Sequence, residues 1–337
     1  MPHPNFPELR MRYLYTGGLI VGVLALVMVG CNRNRSVRES LTQTTRGMQQ
    51  GPRILADYQP WFGVPDHMNV GYSTQDPAVL RKQVERAKQM GIYAFAVDWY
   101  GERRPFEDRS YALLQQVSAE ARFHVCLMYD ETQEDNGHAT EDALEAFEKA
   151  YRAYIGPNAP AREAYVTLNG RPVVFIFPKR GNTDWNRVRA AVDQWERPPI
   201  LIYKDDPPPR YANAFDGFYA WVHPGQHWDP NGRDWGKEYL DKFYKKMKEH
   251  SDKVIVGGVW PGFNDTKASW SLNRHMDRRC GATFEDTLKL FHQHNDPERP
   301  MPFVLIATWN DYEEGTQIET GVSDCNGRRP ITETAAR

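Results

Sequence analysis

From Pro52 onward, short apolar runs alternate with longer stretches in which apolar residues recur every three or four positions. The runs are Ile54–Tyr58, Ala94–Asp98, Phe123–Tyr129, Val173–Phe177, Ile200–Tyr203, Gly217–Trp221, Val254–Trp260 and Phe303–Thr308. Each is short and rich in β-branched or aromatic residues, the signature of a strand buried on both faces. The clearest helix lies between the first two runs. Asp76 suits its cap, Pro77 its first turn and Gly91 the left-handed position past its end. Leu80, Val84 and Ala87 share one face, while Arg81, Lys82, Glu85 and Arg86 point away. Helical patterns also fit 106–120, 140–154, 184–195, 235–250 and 283–294. Eight strands alternating with helices predict an α/β fold, a (β/α)8 TIM barrel. The segment after Tyr203, KDDPPPRYANAFDG, is too rich in proline for a regular crossover helix. After the eighth run, GVSDCNGRRPITETAAR carries no amphipathic period, so the last outer helix is expected to be missing or irregular.

The chain divides into a lead segment (1–31), a tether (32–51), the barrel (52–320) and an irregular tail (321–337). Arg10 and Arg12 precede the apolar run Leu19–Val29, which Gly30 and Cys31 follow. That order is an export signal, and the run is short for a membrane span. Its Met-Val-Gly-Cys ending resembles a bacterial lipobox. The resemblance implies lipidation of Cys31, a lipid anchor in a membrane, and a barrel facing the periplasm or cell exterior. An uncleaved anchor is the alternative. Residues 32–51, NRNRSVRESLTQTTRGMQQG, have the composition of a flexible linker.

Composition narrows the function only a little. Hydrophobic residues make up 40% of the chain and charged ones 26%, which suits a protein with a sizeable core. A formal net charge of −2 gives no reason to expect nucleic acid. Ten Trp and seventeen Tyr fit either a packed core or stacking platforms for sugar rings. Cys126 falls inside a predicted strand and reads as a small core residue. Cys280 and Cys325 can pair in an oxidising compartment, although the sequence does not show them close together. No cofactor motif occurs, and no Cys-x-x-Cys spacing suggests a metal.

Barrel active sites lie at the C-terminal ends of the strands. There the chain repeatedly sets a carboxylate beside an aromatic: Asp57 and Tyr58 with Trp61, Asp98 with Trp99 and Tyr100, Tyr129 with Asp130. Trp221 and His223 follow the sixth run, and Trp260 and Asp265 the seventh. The eighth runs into Trp309, Asn310, Asp311, Tyr312, Glu313 and Glu314. Carboxyl pairs among aromatic platforms are the equipment for hydrolysing a glycosidic bond. His223, His227 and Asp229 invite a metal-dependent alternative, but Pro and Gly break their spacing, so hydrogen-bonding loop histidines are the preferred reading and no metal is expected.

Asn310-Asp311-Tyr312-Glu313-Glu314-Gly315-Thr316-Gln317-Ile318-Glu319 resembles the strand-eight motif of glycoside hydrolase family 99, the endo-α-mannosidase-like enzymes. Tyr58–Gly63, Val97–Gly101 and Pro261–Asp265 are similar to other motifs of that family. The resemblance implies hydrolysis of α-glycosidic bonds in an α-mannan-like polysaccharide or glycan. Asp311 and Glu314 would be the catalytic pair, and Glu313 would stand outside it. Tyr58, Trp61, Asp98, Trp99, Tyr100, Tyr129, Asp130, Trp221, His223, Trp260, Asp265 and Asn310 would bind substrate. Asp311 stands where that family has Glu, and one methylene less draws its carboxyl back by roughly an ångström. Asn-Asp-Tyr-x-Glu is also similar to glycoside hydrolase family 71, the α-1,3-glucanases, where such a pair would serve inversion through a water. A carbohydrate-binding lipoprotein without catalysis is the rival from another class.

Overall fold

In a computed structural model of the chain, residues 51–131, 137–224, 234–323 and 325 are described. Cys31 with its lead segment, His227 and Asp229 lie outside the described residues.

Eight parallel strands close into a barrel: β1 (Arg53–Tyr58), β2 (Ala94–Trp99), β3 (His124–Asp130), β4 (Arg171–Phe177), β5 (Ile200–Lys204), β6 (Gly217–Tyr219), β7 (Val254–Val259) and β8 (Phe303–Ile306). Each pairs with the next, and β8 pairs back on β1 with Ile54 opposite Val304. The helices between them are α1 (Pro77–Gln89), α2 (Pro105–Ala121), α3 (Ala139–Ala150), α4 (Trp185–Val192), α5 (Lys237–Met247) and α6 (Ala282–His294). This is the expected (β/α)8 TIM barrel.

Local chemistry sets the element ends. Asp76 accepts from the Ala78 N–H at 2.8 Å and caps α1, and Gly91 takes the positive φ of 78° beyond its last turn. The face of α1 that packs inward is Leu80, Gln83, Val84 and Ala87, one polar residue more than its apolar period suggests. Between β5 and β6 the chain makes only a single 3-10 turn, Pro209–Tyr211, as its prolines dictate.

No helix follows β8 among the described residues. An apolar cavity of about 260 Å³, lined by Ile54, Met90, Leu288, Val304 and Ile306, lies where such a helix would pack. The chain beyond β8 folds back on the barrel end instead. The Ile318 N–H reaches the carbonyls of Thr308 and Trp309 at 3.1 and 3.0 Å. The Arg278 guanidinium donates to the carbonyls of Gly315 and Gln317 at 2.9 and 2.7 Å. Val322 is fully buried and Cys325 forms a disulfide with Cys280, so packing continues past residue 320. Cys126 is a free, buried core residue.

Gly257 tests how tightly the helix layer sits on the barrel. A β-carbon there would stand 2.3 Å from the buried ring of Phe291 on α6. Gly257→Ala is expected to destabilise the protein by about 1–3 kcal/mol, read from chemical denaturation.

Candidate active site

The C-terminal ends of the strands enclose a cleft with two lobes. The first, about 460 Å³, is lined by Asp98, Asp130, Asp311 and Glu314 together with Trp61 and Tyr100. The second, about 590 Å³, is lined by Lys204, Trp221, His223 and Phe263. Both lobes share Glu314, Lys179, Trp270 and Arg274, so Glu314 stands at their junction.

Acid and aromatic neighbours do not share this cleft, which corrects the expectation for Tyr58, Trp99 and Tyr129. Successive residues of a strand face opposite sides. With Asp98 and Asp130 turned inward, their aromatic neighbours turn toward the helices. The Tyr58 hydroxyl donates to Gln83 of α1 at 2.8 Å, and Trp99 Nε1 donates to Asp108 of α2 at 3.0 Å. The Tyr129 ring lies 5.4 Å from Phe147 and 6.2 Å from Trp185. Three further residues expected at the substrate hold the architecture. Trp260 is fully buried, with Nε1 on the Trp235 carbonyl at 3.0 Å. Asn310 clamps the end of β1, accepting from the Gln59 N–H at 2.7 Å and donating to its carbonyl at 3.0 Å.

Asp265, also fully buried, anchors the loop after β7. Its carboxylate accepts from the N–H groups of Leu272 and Arg274 at 3.1 and 2.8 Å, and from Arg274 Nε at 2.8 Å. Burial pushes its pKa up, but these donors outweigh it and hold the group below the usual carboxylate range. The loop so fixed presents Trp270, Leu272 and Arg274 to the cleft, three wall residues that no motif announces. Trp270 and Leu272 are 37% and 73% exposed, the large apolar side chains that the barrel leaves open to solvent. Gln59, Lys179 and Lys204 also belong to the walls, and their places at strand ends were the signal for them.

Within the strand-eight motif, Thr308 Oγ1 accepts from the Asp311 N–H at 2.8 Å. Asp311 Oδ1 accepts from the N–H groups of Glu313 and Glu314 at 2.9 and 2.7 Å. Glu314 Oε1 accepts from Trp270 Nε1 at 2.9 Å. Glu313 turns away, accepting from the Met68 N–H at 2.9 Å and lying 2.9 Å from His67 Nδ1. It thereby fixes the His67 ring, which stacks on Trp61 with centroids 4.7 Å apart.

Asp57, Asp98, Asp130, Asp311 and Glu314 converge here. Burial raises the pKa of each, and for Asp57 and Asp311 the neighbouring carboxyls add to the rise. Lys179, 3.3 Å from Asp130, is the principal counter-charge. Burial alone would lower its pKa, but the surrounding acids hold it above the usual lysine value. Asp57 Oδ1 and Asp98 Oδ1 are buried without a hydrogen-bond partner, and of the two Asp98 lines the first lobe. Of the paired acids, Asp311 has the donors that favour a carboxylate, two backbone N–H groups on one oxygen. Glu314 has only the indole, which leaves Oε2 able to carry a proton. His223 stacks on Tyr239 with centroids 4.6 Å apart and lines the second lobe.

Known proteins agree with this architecture. Glycoprotein endo-alpha-1,2-mannosidase-like proteins of Mus musculus and Homo sapiens are each 25% identical over 274 residues, covering 74% of this chain and 56% of theirs. The chain thus spans a little over half the length of these relatives. The solved structure of the GH99 endo-alpha-mannosidase from Bacteroides thetaiotaomicron aligns over 79% of this chain and 86% of its own, with 21% identity and a TM-score of 0.62. That likeness establishes the shared barrel. The model of glycosyl hydrolase family 71 matches residues 65–326, and the chain therefore belongs to glycosyl hydrolase family 71.

Proposed function

We propose that this protein hydrolyses α-glycosidic bonds in an α-mannan-like polysaccharide or glycan, with Glu314 as proton donor and Asp311 as base. The observation that carries this reading is the position of Glu314 where the two lobes meet, next to an Asp311 whose Oδ1 accepts from two backbone N–H groups. A sugar in each lobe would leave the scissile oxygen beside Glu314. Glu314 would give its proton to that oxygen, and Asp311 would take one from the attacking water. Family membership supports an aspartate at 311 as a working base, and it favours a second reading of the substrate, α-1,3-glucan cut with inversion. The endo-α-mannosidase-like relatives favour mannan.

We further propose export and lipid anchoring at Cys31. The lead sequence supports this, and so does the Cys280–Cys325 disulfide, since such bonds persist in oxidising compartments.

Glu314→Gln is expected to lower turnover on α-mannan or α-1,3-glucan by about 10²–10⁴-fold while leaving the fold intact. Released sugar and circular dichroism measure the two effects, and near-normal turnover would remove the assignment. Asp57 carries a different expectation. A carboxyl that the fold keeps protonated gives its full stabilisation only below the usual carboxylate range. Above that range the unfolded chain releases the proton, while the folded chain must hold it or charge a dry site, so stability falls as pH rises. Asp57→Asn should therefore melt at higher temperature than the parent at neutral pH and lose that margin in acid. Replacing Cys31 by Ser should abolish incorporation of radiolabelled palmitate and release the protein from the membrane fraction.

A further inference from the structure

The second lobe has an electrostatic character that the acid pair does not explain. Its ionisable lining among the described residues is Lys179, Lys204, His223 and Arg274 against one carboxyl, Glu314. Two of these cations have counter-charges outside the lobe. Lys179 lies 3.3 Å from Asp130, and Arg274 Nε lies 2.8 Å from Asp265. Lys204 has none. Its ammonium group stands 3.9 Å from the centroid of the Phe177 ring, and no hydrogen bond or ion pair to it occurs among the described residues. The carboxyl of adjacent Asp205 accepts from the Tyr239 hydroxyl and makes no direct hydrogen bond to Lys204.

An ammonium group withdrawn from water without a directly bonded partner is costly. Burial accordingly pulls Lys204 below the usual lysine pKa, and the nearby charge of Lys179 pulls the same way, against the opposing pull of Asp205, Asp130 and Glu314. The aromatic face of Phe177 returns only part of that cost. A neutral sugar ring would be served by the platforms of Trp221 and Trp270 and by hydrogen bonds. It has no need of a spare cation. An entering anion would instead meet Lys204 as its first counter-charge, with Arg274 and His223 around it, in a site partly shielded from water.

We propose that the second lobe takes a sugar residue bearing an anionic group, a carboxylate or a phosphate ester, with Lys204 as its counter-charge. The substrate is then an acidic glycan. This inference rests on the reading of the cleft as a glycan site, but recognition and hydrolysis can be measured separately.

The test is calorimetric or NMR titration of the full chain with mannose 6-phosphate, glucuronate and mannose. At least one anionic probe should bind about tenfold more tightly than mannose, and the preference should shrink as salt is added. The tighter of the two anions identifies the substituent. Lys204→Met should bring the ratio of affinities close to one, and Lys204→Arg should keep it. Equal binding of all three sugars overturns the proposal, as does a preference that survives in folded Lys204→Met. An anion preference without hydrolysis of any glycan leaves this inference standing and removes the proposed activity. Hydrolysis of neutral mannan without such a preference does the reverse.

Discussion

Only every second residue of a barrel strand can point at the axis, and this pleat governs both the core and the cleft. It turns Asp98 and Asp130 inward and sends Trp99 and Tyr129 outward, where they tie the barrel to its helices. The same division joins Tyr58 to Gln83 beside the fully buried Asp57. Aromatic residues therefore stabilise the scaffold on one side of each strand, while carboxyls gather on the other. A cleft crowded with acid follows directly from strands that end in acid-aromatic pairs.

Such crowding must be balanced locally. Lys179 neutralises Asp130, and backbone N–H groups hold one oxygen of Asp311. Burial still pushes up the pKa values of Asp57, Asp98, Asp311 and Glu314. Glu314 and Asp311 differ here through their hydrogen bonds, since both are buried carboxyls in one cluster. Asp311 receives donors from the backbone of its own turn, whereas Glu314 receives one indole N–H from a distant loop. The asymmetry is thus written into the motif for one residue and imported for the other.

That distinction explains what the sequence makes legible. The strands and helices could be read because burial imposes periods of two and 3.6 residues on local segments. The inward acids could be read because barrel sites sit at known strand ends. Tyr58, Trp99 and Tyr129 were misplaced because adjacency in sequence was taken as adjacency in space, against the pleat. Trp260, Asp265 and Asn310 were placed at the substrate for their chemistry, but their hydrogen bonds go to the protein itself. Trp270, Leu272 and Arg274 stayed hidden because tertiary structure alone aims their loop. Its determinant is Asp265, which collects donors from residues six to nine positions ahead.

That no helix follows β8 among the described residues bears on the site in the same way. An outer helix covers the flank of a barrel, whereas the strand-eight motif sits at its end, so the two depend on different contacts. Arg278 donates to the motif's Gly315 and Gln317 carbonyls, and the neighbouring Cys280 binds Cys325. Asp265 anchors the segment just before Arg278, and Trp270 within it reaches Glu314. One loop after β7 thus holds the chain after β8 at several points and completes the wall around Glu314. The flank can stay open, with its apolar cavity between Ile54 and Leu288, because the geometry of Asp311 and Glu314 is set by that loop and by the turn itself.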